Sequence, residues 1–172
     1  MLTQVLVLYQ FNLFLAKQLA KDLTHEQLGY RVPTATGGGS SRGNNARWIL
    51  GHLAIATDLA ASIGGQPKLS PELWHKAFGP GSNPDQMEAL GVGSLACEEL
   101  INAIENGHKR VEQIVPHIPA HVLALPHGVA MLDPTPIKTL GDALVHLMTT
   151  HECFHLGQLS AIRRTLGFAY ML

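Results

Sequence analysis

The 172-residue chain is short of cysteine, of charge and of basic excess, and each shortage narrows what it can do. Its two cysteines, Cys97 and Cys153, lie far apart and form no CxxC pair, so neither a disulfide framework nor a zinc knuckle is expected. That usage suits a reduced, cytoplasmic setting. Only 15% of the residues are charged and the formal net charge is −1, so the basic footprint that nucleic acid or an anionic membrane selects is missing. No apolar run reaches the about 18 residues of a membrane span. The N-terminal stretch MLTQVLVLYQFNLFLAK is apolar, but no basic residue precedes it and Gln4, Gln10 and Asn12 interrupt it. It reads as a helix of the fold rather than a signal peptide. Strand-like alternation, internal repeats and low-complexity tracts are also lacking.

What is present is apolar and helical. Hydrophobic residues make up 46% of the chain, enough for a sizeable core, and the length suits one domain over residues 1–172. Val5, Leu8, Asn12, Leu15 and Leu19 recur at helical spacing, with Leu6, Tyr9, Leu13 and Ala16 widening the stripe, and predict a helix over residues 3–22. Pro33 and the run Gly37 to Gly39 break it. A second helix is predicted over residues 46–63, capped by Asn44 or Asn45 and ended by Gly64 and Gly65. Residues 64–93 are rich in Gly and Pro, with room for short turns of helix near 71–78 and 84–90, and are long enough to cross over a bundle. A third helix is expected from Ser94 to about Val115, closed by Pro116 and Pro119. After a proline-rich link the fourth starts at Thr139, a good N-cap, and stops before Gly167. Four long amphipathic helices with long connections predict an all-α four-helix bundle.

The chain holds ten histidines, and their positions carry the chemistry. His151 and His155 are four apart on the fourth helix, so both imidazoles leave one face, about 5–6 Å apart at Cβ. That face is the one predicted to point inward, where unpartnered imidazoles are costly. His52 sits mid-stripe on the second helix, between Trp48 and Ile55. Three inward imidazoles with a fourth position open make a recognisable zinc site, and nickel or another divalent ion also suits them. His108 lies on the inward stripe of the third helix as an extra ligand, a proton shuttle or a pocket-wall residue. His146, five residues before His151, should lie about 140° around an α-helix from it and not join the pair. His25, His75, His117, His121 and His127 fall in loops or at helix ends and receive no role. Cys153 should face away from the pair as a small buried hydrophobe.

HECFH is a literal HExxH, the zinc motif of many proteases. One protease class takes its third ligand from a histidine six residues after the second, where this chain has Ala161, with Gly157 also out of register. Another takes a downstream glutamate, and no Asp or Glu follows Glu152. Proteolysis is therefore the least favoured reading, and Glu152 falls from general base to a flanking residue.

The segment TLGDALVHLMTTHECFHLGQLSAIRRTLG resembles the last helix of the DinB-like superfamily, RWILGHLA its second-helix motif, and FNLFLAKQLAKDLTHEQLGYRV its first helix and following turn. The resemblance implies a four-helix bundle binding a divalent metal through His52, His151 and His155. It also implies a metal-dependent enzyme: a transferase or isomerase using a low-molecular-weight thiol such as bacillithiol or mycothiol, or a hydrolase. A homodimer is implied as well. A non-catalytic module that binds metal or a small ligand is the alternative. Asn12, Trp48, His108 and Gln158 are the candidate pocket-wall residues.

Overall fold

The structure is a computed structural model that describes residues 2–32 and 43–169, so the glycine run Gly37 to Gly39 lies outside it. Nine α-helices occupy the described residues, and five of them build the four rods of the bundle: α1 (Leu2–Ala20), α3 (Ala46–Ile63), α6 (Cys97–Ile114), and α8 (Leu140–His146) continued by α9 (Glu152–Thr165). Between α8 and α9 a π-helical turn, Leu147–His151, keeps the chain helical, so the two form one rod. The short α2 (His25–Leu28), α4 (Glu72–Phe78), α5 (Pro84–Ala89) and α7 (Ala120–Leu123) decorate the connections. No strand forms among the described residues; isolated bridges join Arg31 to Asn45 and Pro126 to Thr139.

Local chemistry explains where the helices start. The Asn45 side chain accepts the Trp48 amide at 2.8 Å and starts α3. Thr139 and Asp142 form a reciprocal capping box that starts α8. The third bundle helix begins at Cys97 rather than at Ser94. The buried Arg47 Nε donates to the Leu95 carbonyl at 3.0 Å, which holds that stretch outside the first helical turn.

Side-chain pairs give the helix directions. Leu19 meets Arg163 and Asn12 meets Met148, so α1 runs parallel to α9. Lys17 meets Glu105 and Tyr9 stacks on His108, so α1 runs antiparallel to α6. Arg47 meets Leu95, and Gly107 packs against Thr57, so α3 and α6 are parallel. Two parallel neighbours need a connection that returns the length of a helix, about 27 Å for 18 residues. Residues 64–96 make that return, which accounts for the long link. α1 and α3 each pack against both α6 and α9, so they take opposite corners of the bundle.

The core joins α1, α3, α6 and α9, with Leu28, Trp74 and Met87 contributed by the short helices. Because α4 covers its outer side, α3 is buried nearly all round. Gly51 makes this possible, since the Phe78 ring of α4 occupies the space a Cβ would need. Two expectations are corrected. Leu8 is 54% exposed, so the buried face of α1 is the part of the expected stripe that runs through Tyr9, Asn12, Ala16 and Leu19. Cys153 is exposed rather than buried. No helix among the described residues is long and apolar enough to cross a membrane.

Candidate metal centre

His52, His151 and His155 meet between α3 and α9. One ring nitrogen from each lies within 4.8 Å of the others, a group that can hold a metal ion. His52 Nε2 and His151 Nε2 are 3.1 Å apart. Ligands about 2.0–2.1 Å from one tetrahedral ion sit about 3.3 Å from each other, so this spacing fits a single ion.

The other ring nitrogens decide which lone pairs are free. His52 Nδ1 lies 2.6 Å from the Phe78 carbonyl, which only accepts, so Nδ1 carries the proton and Nε2 the lone pair. Gln158 Oε1 accepts from His155 Nδ1 at 3.2 Å and frees its Nε2 in the same way. These are the outer contacts that orient metal-binding imidazoles. His151 Nδ1 is buried without a hydrogen-bond partner. Trp48 stacks on the His52 ring at 4.8 Å and closes one side.

The electrostatics keep the cluster neutral. Burial, then the neighbouring His155, His52 and His146, lowers the His151 pKa to about 3. Burial and His52 lower His155 to about 4, against the Gln158 hydrogen bond. Burial also lowers His52, partly opposed by the Phe78 carbonyl. At neutral pH the three imidazoles therefore present lone pairs rather than protons, the state in which they bind metal.

A cavity of about 560 Å³ opens onto His52 and His151. Its volume lies within the range of small-molecule sites. Apolar walls come from Ile55, Leu59 and Ile63 of α3, from Leu140 and Leu147, and from Val129 and Met131 of the link. His146 and Lys68 add polar groups.

His146 stays out of the three-histidine group, as expected, but lies nearer to it than an α-helical count places it. Its ring centroid lies 5.7 Å from that of His151, beside the cavity. In a π-turn, residues five apart share a face, which an α-helical count does not foresee. Glu152 corrects an expectation. It is 3% exposed, with Oε1 2.9 Å from His108 Nε2 at the bundle centre. Because α9 packs against both α1 and α3, a side chain about 100° from His151 still points inward. Burial raises the Glu152 pKa, against the hydrogen bond and charge of His108. His108 is thus neither a fourth member of the cluster nor on the cavity wall. Nor do Asn12, Trp48 and Gln158 line the cavity. His127 and His75, given no role from sequence, do line it. The His127 ring is engaged by the Ile137 carbonyl and the Val129 amide, and so braces the link. Signals for the rest were weak: a link without a motif, and a helix whose period changes for one turn.

The family model of the DinB superfamily matches residues 15–159, which include all three histidines. The chain belongs to the DinB superfamily. No curated protein matches it. In this DinB bundle the cluster joins the second and fourth bundle helices, with the cavity alongside.

Proposed function

We propose that the chain holds one divalent ion, zinc or nickel, on His52, His151 and His155, and acts as a metal-dependent enzyme on a small molecule in the adjoining cavity. The observation that carries this reading is the convergence of three neutral imidazole nitrogens within 4.8 Å, two of them oriented by Phe78 and Gln158. When bound, such an ion lowers the pKa of a coordinated thiol or water and supplies a nucleophile near neutral pH. The histidines hold it, the apolar walls exclude water, and His146 offers a hydrogen-bonding group beside the opening. A low-molecular-weight thiol is the co-substrate we assign, with thiol transfer ahead of hydrolysis.

His108 supports catalysis over a closed binding module. The residue best placed in sequence to close the coordination shell is held by Glu152 instead. The same contact argues against proteolysis, because it turns Glu152 away from the role of general base. We also assign a homodimer, on the exposed α1 face of Val7, Leu8, Phe11 and Phe14.

The test is zinc and nickel titration of untagged protein after chelator treatment. One ion per chain should bind, and zinc at a hundred times its Kd should add about 2.7 kcal/mol of stability. For a chain this size that raises the melting temperature by about 5–10 °C. Absence of binding, or unchanged affinity in His151→Ala, would end this reading. Screening the loaded protein for transfer of a thiol to electrophiles then separates enzyme from binding module.

A further inference from the structure

The π-turn Leu147–His151 is the irregular step in the helix that carries two of the three histidines. Such a turn shifts the helical hydrogen bonds by one residue and leaves carbonyls in need of other donors. Side chains meet that need. Thr149 Oγ1 donates to the Val145 carbonyl at 2.6 Å. From the neighbouring α1, Asn12 Nδ2 donates to the Met148 carbonyl at 3.2 Å and reaches the Thr149 carbonyl, which also takes the Glu152 amide, at 3.5 Å.

Asn12 is an unusual residue for its place. It is 3% exposed in the middle of α1, on a face otherwise built from Tyr9, Ala16 and Leu19. A carboxamide buried there is unfavourable unless it is hydrogen-bonded. Its contacts bracket His151 along the chain. Met148 and Thr149 precede that histidine, and Cys153, whose thiol donates to Asn12 Oδ1 at 3.3 Å, follows it. No other side chain of α1 donates to the backbone of the π-turn among the described residues.

We propose that Asn12 is a positioning residue of the metal centre: by holding the π-turn, it sets the His151 ring against His52 and His155. This rests on the metal reading above. Asn12 touches neither the ion's ligands nor the cavity; it reaches the turn through the Met148 and Thr149 carbonyls and the side chains of Glu152 and Cys153 that flank His151. His151 depends on this support because its Nδ1 has no hydrogen-bond partner, whereas His52 and His155 are oriented through theirs.

The experiment measures zinc affinity by competition with a chromophoric chelator, and the visible spectrum of the cobalt-loaded protein as a report of coordination geometry. Asn12→Leu keeps the side-chain size and removes the donor, while Asn12→Ala leaves space rather than crowding. Leu100→Ala, in the core away from the π-turn, controls for general destabilisation. Both Asn12 variants should bind zinc about 10–100-fold more weakly, with an altered cobalt spectrum. Leu100→Ala should melt earlier yet keep wild-type affinity and spectrum. Asn12 variants that bind within about twofold of wild type would overturn the proposal. So would failure of both to fold while Leu100→Ala folds, because Asn12 would then serve the fold itself. A wild-type protein that binds no zinc removes the metal reading instead, so the two failures are distinct.

Discussion

Acidification should weaken zinc binding far less than three ordinary histidines would allow. Protons compete with the ion for each Nε2, and a ligand with the usual pKa of about 6.5 is about 30-fold more protonated than free at pH 5. Three such ligands together would lower affinity by about 3 × 10⁴ between pH 7.5 and pH 5. Here His151 titrates at about 3 and His155 at about 4, both below that window. Only His52, lowered by burial, is left to take up a proton. The loss should therefore stay under about 30-fold. Competition titrations at half-unit steps, corrected for protonation of the competing chelator, measure it directly. A fall near 10⁴-fold would show that the imidazoles are not held neutral by burial and would refute the electrostatic account of the centre.

The same shifts act on the metal-free fold. His151 and His155 have folded pKa values below the unfolded value, so stability is highest above about pH 6.5 and falls as the unfolded chain takes up protons that the fold refuses. Each contributes a loss approaching 1.4 kcal/mol per pH unit between about pH 6.5 and 4, read from urea midpoints. A flat profile there would contradict it. Glu152→Ala strands His108 in the bundle centre and should cost about 3 kcal/mol, while Glu152→Gln keeps an acceptor and should cost about 1. The Gln variant should still bind one zinc ion; loss of binding would make Glu152 more than a core partner. Gly51→Ala forces the Phe78 ring off α3 and should destabilise by about 1–3 kcal/mol. It should also weaken zinc binding, because the Phe78 carbonyl orients His52. Phe11→Glu with Phe14→Glu should convert a dimer to a monomer in sedimentation, and a monomeric wild type would dismiss the assigned face.

Much of this arrangement was readable from residue spacing. Asn45 and Thr139 mark helix starts by their capping chemistry, and the apolar stripes place His52, His151 and His155 on inward faces. Those signals are local, and a helix of constant period transmits them faithfully. What escaped depends on non-local packing or on a change of period. The π-turn at Leu147–His151 carries no composition signal, so constant helical spacing puts His146 farther from His151 than it lies. Spacing alone puts Glu152 on a flank, because it does not say that α9 packs against two helices. Asn12 read as a pocket residue because its partners lie about 136 positions away, in carbonyls that any sequence possesses. Cys153, small enough for either environment, is exposed at the edge of the α1–α9 contact, with its thiol on Asn12.

Anomalous scattering at the zinc and nickel absorption edges, from crystals of untagged protein, tests the central claim most directly. One peak per chain, in bonding contact with His52, His151 and His155 and open toward the cavity, is the result expected. No peak after growth in excess zinc and nickel, or a peak held by other residues, would contradict it.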